Sequence, residues 1–206
     1  MTSLRHELLG TPTAGTMRML VPGGWEVVPL DDEHMRAFSA RMRRVLMQSH
    51  RPELDAYLSG MLRTWVSRLR ETGGLYAVLP LDPPTGTALP LSLIVSVVGD
   101  VAGHPLKTWA VSKIRSGTSE FLDEGRTVLA WSTTTAGTDE MAGTVSEQYN
   151  YLIPVPGADL REAVLLTGTR VALAGEADDA PARAATRVLY DAMALGLDWA
   201  PAPQTV

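Results

Sequence analysis

The fold of this chain is decided by residues 126–171, RTVLAWSTTTAGTDEMAGTVSEQYNYLIPVPGADLREAVLLTGTRV. This stretch contains three segments rich in Val, Leu, Thr and Tyr, residues that favour β-strands. The segments are residues 127–135, 144–155 and 161–171. Loops that carry Gly137, Gly143 and Gly157 separate them. We therefore predict a β-meander of three strands.

The middle segment shows the clearest alternation of apolar and polar residues. Its apolar parity consists of Val145, Tyr149, Tyr151, Ile153 and Val155, and its polar parity of Ser146, Gln148 and Asn150. A period of two is typical of a sheet with one packed face and one face open to solvent. Glu147 is the exception, because it falls on the apolar parity.

Helices and further strands surround this meander. Residues 17–30 indicate a strand, a Pro22-Gly23-Gly24 turn and a second strand, and two helices follow, over residues 31–49 and 52–72. The later elements are strands at 75–80 and 91–98, a helix at 104–114, a strand at 119–124 that pairs with the first meander strand, and a helix from Pro181. The segment 91–98, LSLIVSVV, is apolar on both parities, which predicts a central strand with both faces covered.

The order ββ-αα-ββ-α-ββββ-α predicts an α+β fold. We expect a mostly antiparallel sheet with a C-terminal β-meander and with helices packed on it, as an α/β sandwich. A length of 206 residues without an internal repeat or linker favours a single domain over residues 1–206. Within it, residues 1–15 are expected to be a loose leader and residues 200–206 a disordered tail.

Apolar periodicity predicts which helix faces are buried. In the second helix the stripe consists of Leu54, Tyr57, Leu58, Met61, Leu62, Trp65, Val66 and Leu69. In the third helix it is Leu106, Trp109, Ala110 and Ile114, and in the last helix Ala185, Val188, Leu189, Ala192 and Met193. We interpret all three stripes as core packing.

Composition and charge exclude several classes of function. The net charge is −5 and the isoelectric point is near 5.4, so the concentrated basic face that nucleic-acid binding needs is not expected. No stretch approaches the ~20 apolar residues of a membrane span. The chain has no cysteine and therefore no disulfide, thiolate nucleophile or cysteine metal ligand. We predict a cytoplasmic location.

Motifs for catalysis and cofactor binding are missing from the sequence. The histidines, at positions 6, 34, 50 and 104, do not have the spacing of metal ligands, so we predict neither a metal nor a cofactor. His34 follows Asp31-Asp32-Glu33, an acidic group that we interpret as a helix cap. Nucleophile-elbow, dinucleotide and triphosphate motifs are absent, and no catalytic residue is predicted. A Ser-His-Asp set assembled only by the fold stays open.

Charge singles out one surface as a candidate binding site. Residues 1–70 hold ten arginines and seven acidic residues, whereas residues 71–206 hold eight basic and sixteen acidic residues. In the first helix Arg36, Arg41, Arg43, Arg44 and Met47 lie opposite the apolar arc. One interpretation is a solvated face. The other is a docking site for an acidic partner surface or an anionic ligand, because interfaces are enriched in Arg and Met.

Two motifs carry a resemblance to known proteins. VPGGWEVVPL (residues 21–30) before a helix, and YNYLIPVPG (residues 149–157) before another strand, resemble uncharacterised actinobacterial proteins with a "PPGW…PL" start, a "YLVPVPG" strand, a final helix and a Trp, here Trp199. The order is also similar to the PsbP-like superfamily, with its Ran-binding Mog proteins and mycobacterial lipoproteins. The resemblance implies a non-catalytic binding or accessory protein and an association with specialised secretion genes. It transfers no site residue, and the lipidated cysteine of the lipoproteins is absent.

These observations favour a non-enzymatic domain that binds a protein partner with an acidic surface, as an accessory or secretion-associated factor. The alternative is a small-molecule-binding protein, or a hydrolase whose site is assembled in the fold. A deep pocket with convergent polar groups favours the alternative, whereas a flat, exposed Arg and Met face favours partner binding.

Overall fold

The computed structural model describes residues 17–48, 53–81, 90–101, 103–177 and 180–199. The predicted leader and tail therefore lie outside the described residues. Within the described residues the element order follows the prediction, except that a short strand, not predicted, follows the last helix. The helices in the described ranges are α1 (Asp32–Gln48), α2 (Glu53–Glu71), α3 (Leu106–Arg115) and α4 (Pro181–Leu195), with a short 3-10 helix at Asp139–Met141. The strands are β1 (Met17–Arg18), β2 (Glu26–Pro29), β3 (Gly74–Leu79), β4 (Leu91–Gly99), β5 (Ser119–Phe121), β6 (Leu129–Ala136), β7 (Thr144–Pro154), β8 (Glu162–Leu173) and β9 (Asp198–Trp199).

Seven strands form one antiparallel sheet in the order β2-β3-β4-β8-β7-β6-β5. The α+β class and the meander β6-β7-β8 are thus confirmed, as are the pairing of β5 with β6 and the inner position of β4. The strand, the turn and the second strand predicted in residues 17–30 are present, but the two strands do not pair with each other, because β1 pairs with β9 and β2 pairs with β3. A turn closed by the Trp25 amide on the Pro22 carbonyl oxygen lies between β1 and β2. The two strands on either side of it belong to different sheets.

Helices cover both faces of the large sheet. On one face α1 and α2 pack over β2, β3 and β4 through Met35, Phe38 and Val66. On the same face α3 packs over β6, β7 and β8 through Leu106 and Ala110. On the opposite face α4 lies over the centre of the sheet. The strand residues that share its core are Val78, Leu93, Val95, Val128, Ala130, Tyr149, Tyr151, Ile153, Val164 and Leu166.

Tyr190 fixes α4 on the sheet. Its ring lies over Gly168, where a Cβ atom would come within 2.7 Å of the ring, so only glycine leaves room for this contact. Its hydroxyl donates toward two backbone carbonyl oxygens, those of Ser92 at 2.9 Å and Thr169 at 2.8 Å. The buried hydroxyl therefore has hydrogen-bond acceptors, and the free-energy cost of burying an unpaired polar group does not arise.

Three predicted helix faces are wrong in part. Trp65 is 37% exposed and Met61 is 53% exposed, so the buried stripe of α2 is narrower than predicted. Val188 is 67% exposed, and the buried residues of α4 are Thr186, Tyr190, Met193 and Ala194. In α3 the buried residues are Leu106 and Ala110, and the predicted Trp109 and Ile114 are exposed. In each case the helix has more apolar residues than the sheet beneath it covers.

Candidate functional site

The predicted arginines lie on α1, and three of them occupy its solvent face. Arg36, Arg43 and Met47 follow one another at i, i+7 and i+11, and all three are exposed. Arg44 is exposed on the adjoining arc. The opposite side of the helix packs Met35 and Phe38 into the core, together with Met42, so the helix presents the arginines outward. We call Arg36, Arg41, Arg43, Arg44 and Met47 the arginine face.

Arg41 differs from the other members of the arginine face. Its Nη2 atom lies 2.8 Å from Oε1 of Glu26 on the edge strand β2, and its guanidinium lies 5.4 Å from the ring centre of Phe38. The sequence did not show this pairing, since Glu26 and Arg41 are fifteen positions apart. Arg36 donates through Nε to the backbone carbonyl oxygen of Asp32 at 3.0 Å. Because this acceptor is neutral, the contact does not balance the positive charge of Arg36.

The acidic group before α1 is a helix cap, as predicted. Asp31 accepts a hydrogen bond from the backbone N–H of His34 at 2.9 Å, and Nδ1 of His34 lies 2.7 Å from Oδ2 of the same carboxylate. The hydrogen bond from the His34 backbone is the main cause that lowers the pKa of Asp31. Arg70 of α2 also stabilises the first turn of α1. Its guanidinium pairs with Asp32 Oδ1 at 2.6 Å and donates a hydrogen bond to the Leu30 carbonyl oxygen. The arginine face is therefore carried by an anchored helix.

A second candidate surface is the sheet face between α2 and α3. There three cross-strand rows are mostly polar; Ile94 and Asn150 are buried, and the other members are exposed or half-buried. The rows are Trp131-Asn150-Thr167-Ile94, Thr133-Gln148-Thr169-Ser92 and Thr135-Ser146-Val171. We call their eight polar residues the polar sheet face. Its members are Ser92, Thr133, Thr135, Ser146, Gln148, Asn150, Thr167 and Thr169.

Hydrogen bonds orient the two amide side chains of the polar sheet face. Thr167 Oγ1 donates to Asn150 Oδ1 at 3.0 Å, and Thr133 Oγ1 donates to Gln148 Oε1 at 3.3 Å. Asn150 is buried at 7% exposure, whereas Gln148 is exposed. The sequence predicted that Ser146, Gln148 and Asn150 share the solvent-facing parity of β7. It did not predict which residues of β4, β6 and β8 lie beside them.

Aromatic side chains border the polar sheet face. Trp131 of β6 pairs across strands with Asn150 and meets Trp109 of α3 edge to face, with 5.3 Å between ring centroids. Nζ of Lys113 lies 5.6 Å from the Trp131 ring centroid, so the pair carries one positive charge at the α3 side. On the α2 side stands Trp65, about 140° around the helix from Arg70 at 100° per residue. Because Arg70 contacts the start of α1, Trp65 is on the flank of α2 that is turned away from α1.

A buried ionic cluster lies on the opposite face, beneath α4. Glu147 is only 4% exposed and Arg170, its cross-strand partner, 7%. Glu147 Oε2 lies 2.9 Å from Arg170 Nη1 and accepts a hydrogen bond from Tyr149 at 3.2 Å, while its Oε1 pairs with Arg183 of α4. Arg170 Nη2 also pairs with Glu176 at 2.5 Å. The signal in the sequence was the presence of Glu147 and Arg170 on the apolar parities of two neighbouring strands.

The electrostatics of this cluster favour a structural role. Burial alone would raise the pKa of Glu147, but hydrogen bonds from Arg183 and Arg170 outweigh burial and lower it. Burial and the neighbouring Glu147 charge raise the pKa of Tyr149 to about 12. Both carboxylate oxygens of Glu147 are engaged by arginines, and Tyr149 stays protonated at neutral pH. The cluster therefore holds α4 to β7 and β8 rather than offering a base or a nucleophile.

The described residues bring together neither a set of metal ligands nor a histidine with a hydroxyl nucleophile. No group of three or more His, Asp or Glu side chains in them is placed to hold a metal ion. In the same ranges no hydrogen bond joins a histidine to a serine or threonine. The hydroxyls of Ser116 and Ser119, in the SGTSE segment, donate to the Lys113 carbonyl oxygen at 2.7 and 3.0 Å and form part of the turn after α3. None of the helices in the described ranges is long and apolar enough to cross a membrane.

Comparison with protein-family models, with curated proteins and with solved structures gave no match to this chain. The resemblance to the PsbP-like superfamily stays a prediction.

Proposed function

We propose that this chain is a non-enzymatic accessory domain that docks an acidic surface of a partner protein through the arginine face of α1. The observation that carries the proposal is the exposure of Arg36, Arg43, Arg44 and Met47 on the solvent face of one anchored helix. Two acidic residues of the first turn, Asp32 and Glu33, lie on the same side, and Asp32 pairs with Arg70 of α2, so the three arginines outnumber them. Such a face attracts an acidic partner mainly by raising the association rate.

The anchoring of α1 supports this role. Its buried side packs on the sheet, and the contacts of Arg70 with Leu30 and Asp32 fix its first turn. The guanidinium groups are thus presented from a rigid element, which lowers the entropy lost when a partner binds. Glu26 already balances the charge of Arg41, so Arg41 is left out of the charge-reversal test. The resemblance to proteins that accompany secretion genes makes a secretion-associated, cytoplasmic protein the first partner to look for.

The proposal is tested by reversing charge on the face. The variant Arg36→Glu, Arg43→Glu, Arg44→Glu should keep the wild-type melting temperature, because all three side chains are exposed, and should lose the partner in affinity capture from the source organism. The matched control is Arg115→Glu, Arg126→Glu, Arg161→Glu, which makes the same change of net charge at exposed positions away from α1. Partner capture by the first variant at wild-type yield in low salt would overturn the proposal.

Binding of a small ligand is the second candidate function. The observation that favours it is the polar sheet face, where Asn150 is buried among neighbouring hydroxyl and amide groups. This surface does not overlap the arginine face, so the two functions are separable by mutation.

A further inference from the structure

The polar sheet face is uncharged throughout. Its three rows contain hydroxyl, amide, aliphatic and indole side chains, and no Asp, Glu, Lys or Arg. The charged residues on these strands, Glu147, Glu162 and Arg170, are on the other parity and so belong to the other face, where Glu147 pairs with Arg170. The polar sheet face therefore has no charged side chain that could pair with an ionic ligand. A cation lies at its border, where the Lys113 amino group is placed over the Trp109 and Trp131 rings.

The side chains of the polar sheet face offer both hydrogen-bond donors and acceptors. The oxygens of Asn150 and Gln148 already accept from Thr167 and Thr133, so each amide is oriented with its NH₂ group as the remaining donor. Among the described residues neither NH₂ group has a hydrogen-bond acceptor. The surrounding serine and threonine hydroxyls both donate and accept. A ligand rich in hydroxyl groups complements the polar sheet face, because hydroxyl groups also donate and accept hydrogen bonds.

The dimensions of the polar sheet face, and the tryptophans that border it, fit an extended ligand that has apolar surfaces. Successive rows lie about 7 Å apart and four strands span about 14 Å, from the spacings of an antiparallel sheet. Trp131 and Trp109 stand at one end and Trp65, which is 37% exposed, on the α2 side. Indole rings offer flat apolar faces that pack against the C–H faces of sugar rings. A peptide would instead require apolar side-chain pockets or a free strand edge, and the floor of inner strands offers neither.

We propose that the polar sheet face binds a neutral oligosaccharide, with Gln148 and Asn150 donating to its hydroxyl groups and the tryptophans packing against its rings. This inference rests on the second candidate function and names its ligand class. It is independent of the arginine face, which lies on α1.

The test is an NMR titration of the full chain with three neutral probes: cellohexaose, maltohexaose and chitohexaose. The side-chain NH₂ signals of Gln148 and Asn150 and the indole signals of Trp65, Trp109 and Trp131 should shift with at least one probe. The indole signals of Trp25 and Trp199 are internal controls. Both residues pack with the α4 side of the sheet and should not move.

Two variants locate the binding. Thr133→Ala removes the hydroxyl that orients Gln148 and should raise the Kd about threefold to tenfold, as expected for a neutral hydrogen bond. Thr134→Ala, one residue further on β6, alters an exposed threonine on the opposite face and should leave the Kd unchanged. Both threonines are exposed, so both variants should fold.

Three outcomes overturn the inference. If no neutral probe shifts these signals, or if Thr133→Ala and Thr134→Ala bind equally well, the face does not bind neutral oligosaccharides. If a hexamer of galacturonate or an uncharged hexapeptide shifts the same signals and the neutral sugars do not, the ligand class is wrong but the second candidate function stands.

Discussion

Replacing Glu147 by Gln should destabilise the fold by about 3 kcal/mol, because removal of one partner from a buried ion pair leaves the other charge poorly compensated. Glu147 is 4% exposed and its carboxylate is shared by Arg170 and Arg183. The usual cost of such a change is about 3–5 kcal/mol. We expect the lower end, since Arg170 keeps its contact with Glu176 at 2.5 Å. For a chain of 206 residues the melting temperature should fall by about 6–12 °C.

The matched control is an exposed ion pair. Arg41 and Glu26 are 46% and 43% exposed as side chains, so Glu26→Gln should cost at most about 1 kcal/mol. Urea denaturation at pH 7, followed by circular dichroism, gives the free energy of unfolding of each variant. A cost for Glu147→Gln that is no larger than the cost for Glu26→Gln would refute the structural role of the cluster.

The same variant makes a prediction about pH. The folded-state pKa of Glu147 is lowered, so its contribution to stability is fully present above the unfolded-state pKa, about 4.3 for Glu. The contribution is lost as the pH falls through the lowered folded-state value. The stability gap between wild type and Glu147→Gln should therefore be constant from pH 7 to about pH 5 and shrink in more acidic solution. A gap that stays constant down to pH 3 would contradict this assignment.

Four further substitutions test the packing by thermal denaturation. Trp65→Ala should cost about 1 kcal/mol and not the 3–5 kcal/mol of a buried aromatic, because Trp65 is 37% exposed; a cost above 3 kcal/mol would show that it is core. Gly168→Ala should cost about 1–3 kcal/mol, since its Cβ would meet the Tyr190 ring at 2.7 Å, and an unchanged melting temperature would contradict that contact. Val188→Ser should stay within about 0.5 kcal/mol, whereas Met193→Ala should cost about 2–5 kcal/mol; equal costs would mean that the exposed and buried sides of α4 are assigned wrongly.

The meander could be predicted from sequence because its signal is local. The alternation in β7 places Tyr149 and Tyr151 in the core and Gln148 toward solvent, and a period of two needs no knowledge of distant residues. Likewise, the both-parity apolar pattern of residues 91–98 correctly indicated an inner strand. Local turn and strand signals therefore account for the correct element order.

Helix faces were harder, because the sheet decides how much of a helix is covered. In α4 the apolar line through Val188 faces solvent, and the buried side includes Thr186 and Tyr190. The sequence pattern did not predict that these two polar residues would be buried. In the structure the Thr186 hydroxyl donates to the Ala182 carbonyl oxygen, and the Tyr190 hydroxyl donates toward two carbonyl oxygens of the sheet. A polar side chain with a partner can be buried at little cost, and the partner is known only from the fold.

The candidate sites show the same division between local and tertiary signals. The arginine face follows from helical periodicity in one segment, and α1 presents it as predicted, except that Glu26 engages Arg41. The polar sheet face depends on strand order, since β8 lies between β4 and β7 although it follows both in the chain. No pattern in one segment shows that Thr169 lies between Gln148 and Ser92.

The proposal that α1 is the docking helix is tested most directly by photocross-linking in the source organism. A p-benzoylphenylalanine residue replaces Ala40, which is exposed on α1 between Arg36 and Arg43, or replaces Leu173, which is 75% exposed at the end of β8. Irradiation should give a covalent adduct with an acidic protein from position 40 and not from position 173, and the adduct should disappear with Arg36→Glu, Arg43→Glu, Arg44→Glu. Adducts from position 173 alone, or an adduct from position 40 that survives the charge reversal, would contradict the proposed function.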